Sequence, residues 1–145
     1  MKTILLVEDN PDDEELTRYA FRKSNMANQI IVAHDGQEAL DLLFGPEGQE
    51  KSPNLRLRPS VILLDLKLPK VGGLDVLRRI RSDPRSQCLP VIVLTSSREQ
   101  EDLIASYQLG CNSYVRKPVN FLEFVEAARQ LDLYWLLLNE SPTTQ

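Results

Sequence analysis

Val61-Ile62-Leu63-Leu64-Asp65-Leu66-Lys67-Leu68-Pro69-Lys70-Val71-Gly72-Gly73 decides the architecture. Four apolar residues without polar alternation read as a strand covered on both faces, and an acid follows at once. A turn at Gly72 then leads to Leu74, Val76, Leu77 and Ile80 at helical spacing. Outward from this unit the pattern repeats. Residues 4–7, 30–33 and 91–94 are further apolar runs rich in β-branched residues, and 113–115 is a weaker run fit for a sheet edge. Between and after them lie Leu16, Tyr19 and Ala20; Ala39, Leu40, Leu43 and Phe44; Leu103, Ile104 and Tyr107; and Phe121, Leu122, Val125 and Ala128, all at helical spacing. Helix starts are marked by Asn10 before Pro11 and by Asp35, Ser96 and Asn120 with Glu38, Glu99 and Glu123 three places on; stops are marked at Gly45 and Gly110.

Five strand-helix units are too few for an eight-stranded barrel, so the reading is an α/β fold with an open, doubly wound parallel sheet. Right-handed crossovers favour strand order 2-1-3-4-5, with a ligand crevice at the carboxyl ends where strands 1 and 3 diverge.

With 145 residues, 42% of them apolar and 26% charged, the chain suits one globular domain with a real core. A formal charge of −4 repels a phosphate backbone, so nucleic acid is not an expected partner. Cys88, Cys111 and the single His34 cannot complete a zinc cluster. Acids at the eighth and ninth residues come too early for a signal peptide and no run is long enough to span a membrane, so the expected location is a reducing cytoplasm.

Just past the strand ends stand Glu8 and Asp9, Asp65, Thr95, and Lys117 with Pro118. Neighbouring strands lie ~4.8 Å apart, so three like charges would meet at one edge and need a positive partner. A hard divalent cation such as Mg²⁺ suits carboxylate oxygens and also accepts phosphoryl oxygens. Asp12, Asp13, Glu14 and Glu15 read instead as ordinary helix-start charges. His34 reads as a satisfied or exposed histidine.

Four motifs in order, Leu-Leu-Val-Glu-Asp-Asn, Leu-Leu-Asp-Leu-Lys-Leu-Pro-Lys-Val-Gly-Gly, Val-Leu-Thr-Ser-Ser and Tyr-Val-Arg-Lys-Pro, make residues 2–132 similar to the CheY-like receiver domain of two-component response regulators. The resemblance implies a flavodoxin-like (βα)5 fold and a phosphoacceptor signalling protein rather than an enzyme. It implies that Asp65 takes a phosphoryl group from a partner histidine kinase. Glu8, Asp9, Asp65 and the carbonyl of Lys67 would hold Mg²⁺. Lys117 would pair with Asp65 and then with the phosphoryl group, ahead of a cis bond to Pro118. Thr95 and Tyr114 would form a switch that moves a surface of helix 4, strand 5 and helix 5. Two positions depart from the commonest pattern: Lys67 is longer and more basic than usual, and Gly72 replaces an acid, which reads as a looser turn.

Residues 45–59 hold two Gly, three Pro and five charged residues, too long for an ordinary helix-strand connection. They read as a tolerated mobile loop opposite the acidic edge. Residues 133–138, Leu-Tyr-Trp-Leu-Leu-Leu, cannot all be buried by one helical stripe. They predict a C-terminal extension of helix 5 and tail over 133–145, following a receiver over 1–132, with Tyr134, Trp135, Leu136 and Leu138 in a homodimer interface. The long loop and this ending resemble single-domain receivers paired with phytochrome histidine kinases. Only seven residues follow Leu138, so output is expected through a protein contact. Two rivals stand beside this reading. A haloacid-dehalogenase-type phosphatase also uses a strand-end Asp, Mg²⁺ and Lys, but has an acid where Lys67 stands. A phosphorylation-independent interaction module would not need the complete set of Glu8, Asp9, Asp65, Thr95 and Lys117.

Overall fold

The structure, a computed structural model, describes residues 3–23, 29–46, 53–117 and 126. Strands β1 (Thr3–Val7), β2 (Gln29–Ala33), β3 (Val61–Leu64), β4 (Val91–Thr95) and β5 (Ser113–Arg116) alternate with helices α1 (Pro11–Lys23), α2 (Gly36–Phe44), α3 (Gly73–Ser82) and α4 (Gln100–Gln108). All strands pair in parallel in the order β2-β1-β3-β4-β5, as the crossover rule requires. The inner strands β1, β3 and β4 are buried almost throughout and β2 and β5 only partly, as their places at the sheet edges dictate. The fifth helix, with its expected start at Asn120 and Glu123, lies outside the described residues.

Period-two alternation divides the core between two faces. Leu5, Val7, Ile62, Leu64, Val91 and Val93 pack with Ala39, Leu43 and Phe44 of α2 and Val76, Leu77 and Ile80 of α3. Ile4, Leu6, Val61, Leu63, Ile92 and Leu94 face the other way, against Ala20 and Phe21 of α1. Each fully buried Leu or Ile contributes about 1.5 to 3 kcal/mol from its removal from water.

Caps follow the sequence at two helices and depart from it at a third. Asn10 Oδ1 accepts from the amides of Asp12 (2.8 Å) and Asp13 (3.1 Å). Asp35 Oδ1 accepts from Glu38 N at 2.7 Å, while Glu38 Oε1 accepts from His34 N at 2.8 Å. In α4 the cap is Glu99 rather than Ser96. There the Ser97 amide donates to Thr95 Oγ1 (3.3 Å), and Ser97 Oγ accepts from Glu99 N (3.3 Å) and donates to Asp102 Oδ2 (2.5 Å), which holds the intervening loop extended. Gly45 and Gly110 close α2 and α4 at φ of 89° and 99°.

The buried stripe of α4 also differs from its apolar spacing. Its buried residue is Ser106, whose hydroxyl donates to Asp102 O at 2.7 Å, whereas Ile104 and Tyr107 are 48% and 53% exposed. Ser106 lies two positions from Ile104, about 200° around the axis, so only one of them can face inward. Tyr19 of α1 is likewise exposed. The connection before β3 is less loose than its composition suggests. Leu55 and Leu57 pack against the core, Pro59 is buried, Arg56 N donates to Leu43 O at 2.9 Å and Ser60 N to Thr3 O at 2.8 Å. Residues 47–52 lie outside the described residues.

Asp83 fastens the end of α3. Its carboxylate accepts from Arg85 Nε (3.0 Å), Nη2 (2.7 Å) and N (2.8 Å) and from Arg79 Nη1 (2.9 Å). Both guanidinium groups lie over the Phe44 ring, at 3.9 Å for Arg79 and 5.3 Å for Arg85. Hydrogen bonds from Arg85 hold the Asp83 carboxyl well below the usual carboxylate range, although burial opposes this. A depressed carboxyl contributes stability above its unfolded pKa of about 3.9 and loses that contribution as pH falls toward the folded value. Asp83→Asn is therefore expected to lower stability by about 1.5 to 3 kcal/mol at neutral pH. The gap from wild type should close as pH drops below about 4, as measured by urea melts across pH.

The loop from β3 to α3 sets two adjacent glycines under opposite constraints. A Cβ on Gly73 would lie 2.3 Å from Asp65 O and 2.5 Å from Leu66 Cα, so the helix start touches the backbone at Asp65. Gly72 is the N-cap of α3, makes no side-chain cap bond and has nothing within 4 Å of a Cβ, so it is a vacant cap rather than a looser turn. Gly73→Ala should cost roughly 1 to 3 kcal/mol, whereas Gly72→Asp should add a few tenths of a kcal/mol. Thermal melts of the two variants separate them by sign.

Candidate functional site

Thr95 is the last residue of β4, and Glu8, Asp65 and Lys117 each sit one ladder bond past their strands. Glu8 N donates to Ala33 O (2.9 Å), Asp65 N to Val7 O (3.1 Å) and Lys117 N to Thr95 O (2.6 Å). The sheet register therefore fixes these backbones as firmly as those within the strands. Glu8, Asp65, Thr95 and Lys117 are all buried, and Asp9 is exposed.

Asp65 is gripped on both oxygens. Oδ1 accepts from Thr95 Oγ1 at 2.8 Å and from the Lys67 amide at 3.2 Å, and Oδ2 lies 3.4 Å from Lys117 Nζ. Lys117 is not chiefly a partner of Asp65. Its ammonium donates at 2.6 Å to Glu8 Oε1 and at 2.9 Å to Asp13 Oδ2, both closer than Asp65. Burial pushes the Glu8 carboxyl up to about 7, with the Lys117 hydrogen bond opposing the rise. At Lys117 burial acts to lower the pKa, but hydrogen bonds to Asp13 and Glu8 and the charges of Asp65 and Glu8 outweigh it and hold the ammonium above its ordinary value.

Asp13 therefore belongs to the site, and its reading as a plain helix-start charge is corrected. Only part of the signal lies in the sequence, where Asp13 stands seven residues before Ala20 of the apolar stripe. Thr17 and Ala20, four and seven residues on, are both buried, so Asp13 heads the inward stripe of α1. Asp12, on the exposed side, keeps the ordinary role. The Lys67 side chain is exposed. Tyr114 packs against the core with its hydroxyl buried, and burial raises its pKa. His34 is exposed, with Nε2 3.2 Å from Glu14 Oε1 and Nδ1 3.6 Å from Glu38 Oε1. Pro118 and the residues expected at an interface, Tyr134, Trp135, Leu136 and Leu138, lie outside the described residues.

Glu8, Asp9 and Asp65 each offer one carboxylate oxygen within 4.8 Å of the others. An octahedral ion with bonds of about 2.1 Å separates its oxygens by about 3 to 4 Å, so a small hard cation fits with slight closure of the three groups. Among the described residues no helix is long and apolar enough to cross a membrane.

Residues 4–129 match the response regulator receiver domain family. The response regulator Rcp1 of Synechocystis is 38% identical over 135 residues, 93% of this chain and 89% of that one. A solved Mn²⁺-bound form of Rcp1 superposes with a TM-score of 0.83, at 36% identity over 99% of this chain and all of that one. The phosphorylated cyanobacterial phytochrome response regulator RcpA has a TM-score of 0.84 at 34% identity, covering 98% and 99% of the two chains. The bacteriophytochrome response regulator AtBRR is 49% identical with a TM-score of 0.72, over 97% and 99%. A parallel sheet in this order, an acid cluster at its carboxyl edge and these likenesses agree, and the chain belongs to the receiver-domain family of two-component response regulators, close to those of phytochromes.

Proposed function

We propose that Asp65 is the phosphoacceptor. One carboxylate oxygen attacks the phosphorus of a phosphohistidine on a sensor histidine kinase, the P–N bond breaks, and the histidine nitrogen leaves with the electron pair. An acyl phosphate remains on Asp65. The observation that carries this reading is the enclosure of the Asp65 carboxylate between the Thr95 hydroxyl and the Lys117 ammonium, beside Glu8 and Asp9. Glu8, Asp9, Asp65 and the Lys67 carbonyl would hold Mg²⁺, which when bound neutralises charge on phosphoryl oxygens. A Mn²⁺-bound form of the similar Rcp1 supports the binding of a divalent ion.

Thr95 and Lys117 then make contacts to the phosphoryl group that bare Asp65 does not provide, and such differential contacts are what moves a two-state equilibrium. Thr95 surrenders Asp65 Oδ1 for a phosphoryl oxygen, and Tyr114 completes the switch. The surface that carries the signal comprises α4, β5 and the helix expected after residue 117. The protein accepts and releases its own phosphoryl group and turns over no other substrate.

The kinase is of phytochrome type, on the likeness to RcpA and AtBRR. A receiver over 1–132 is followed by an extension over 133–145, where Tyr134, Trp135, Leu136 and Leu138 join two copies in the cytoplasm. The run of six apolar residues supports that interface.

Incubation with acetyl phosphate and Mg²⁺ should add one phosphoryl mass to the wild type and none to Asp65→Asn, as read by intact-protein mass spectrometry, and chelation of the metal should abolish it. Labelling of Asp65→Asn to the wild-type level would sink the assignment. Sedimentation before and after labelling reads the self-association separately.

A further inference from the structure

Lys117 has three ammonium protons and three carboxylate neighbours: Glu8 at 2.6 Å, Asp13 at 2.9 Å and Asp65 at 3.4 Å. Two of these, Glu8 and Asp65, are buried on the strand ends, whereas the Asp13 side chain is 34% exposed on the first turn of α1. Asp13 is well held in place. Its amide donates to Asn10 Oδ1 at 3.1 Å, and its carbonyl accepts from Thr17 Oγ1 at 2.8 Å.

We propose that Asp13 is a positioning residue that draws the Lys117 ammonium toward α1 in the resting state and so competes with a phosphoryl group on Asp65 for it. The inference rests on Asp65 as the phosphoacceptor. An incoming phosphoryl group adds negative charge and strong acceptors on the side of Lys117 that now makes its longest contact. Its third N–H already faces Asp65 at 3.4 Å, and for the ammonium to close on a phosphoryl group there it must draw back from Glu8 or Asp13, to which it is held at 2.6 and 2.9 Å. The bond to Asp13 is the one in contact with solvent, where water replaces a lost carboxylate at least cost. A group that favours only the resting arrangement opposes the switched one by its differential contact energy. Asp13 therefore sets how far the equilibrium leans toward the phosphorylated arrangement, while the acceptor chemistry belongs to Asp65.

Beryllofluoride, an acyl-phosphate mimic, provides the test, titrated at saturating Mg²⁺ into the full chain and followed by fluorine NMR. Asp13→Asn should bind it about two- to fivefold more tightly than wild type. Asp13→Glu, which restores the carboxylate, should return affinity toward wild type. Asp12→Asn removes the same charge from the same helix turn without touching Lys117 and should leave affinity unchanged. Asp13→Ser serves as a second neutral variant should Asp13→Asn fold poorly, with circular dichroism confirming the fold of each. Unchanged or weaker binding in the neutral variants, or an equal gain in Asp12→Asn, overturns the proposal while the phosphoacceptor reading stands. Failure of wild-type protein to bind beryllofluoride at all overturns that reading and the role of Asp13 together.

Discussion

Charge balance at the carboxyl edge of the sheet is the constraint on which the rest of the molecule turns. Three strands end in Glu8 and Asp9, Asp65 and Lys117, and buried carboxylates are tolerated only beside a cation and with their hydrogen bonds filled. Lys117 answers part of that demand by reaching Glu8, Asp13 and Asp65 together. A divalent ion at Glu8, Asp9 and Asp65 answers the remainder in the function proposed here. In the function proposed here the same imbalance makes the edge responsive, since a phosphoryl group on Asp65 adds charge and acceptors within reach of Thr95 and Lys117.

The fold holds that edge still. The register pairs Val7 with Ala33 and Leu64, and Leu64 with Val93, so the first residue beyond each inner strand inherits its place from a ladder that is buried on both faces. The cost of ordering these side chains is met largely by the apolar core beneath them. Gly73 shows how closely the parts are fitted, because the start of α3 lies directly on the backbone of Asp65 and Leu66.

Most of this architecture was legible because strands buried on two faces leave unbroken apolar runs, and 61–64 matched the observed β3 residue for residue while the others differed by a residue at one end. Glu8, Asp9, Asp65, Thr95 and Lys117 were legible for the same reason, as they are the first polar positions after those runs. What escaped reading was settled by tertiary competition. Asp13 looks like its acidic neighbours in composition and differs only in facing Thr17 and Ala20. The Ser96 cap signal lost to Glu99, because Ser97 bonds both Thr95 and Glu99 and so delays the start of α4. The apolar spacing of Ile104 and Tyr107 named the solvent side of α4, because in so short a helix a hydroxyl with a partner in its own backbone serves the inward position.

The Thr95 hydroxyl has two engagements, since it donates to Asp65 and accepts from the amide of Ser97 at the approach to α4. The helix it leads into keeps only Ser106 buried. With Leu103 and Ala105 only partly covered beside it, α4 encloses little apolar surface of its own, so the hydrogen bond at its head is a large share of what fixes its start. In the function proposed here, a phosphoryl group on Asp65 reaches α4 through that shared hydroxyl.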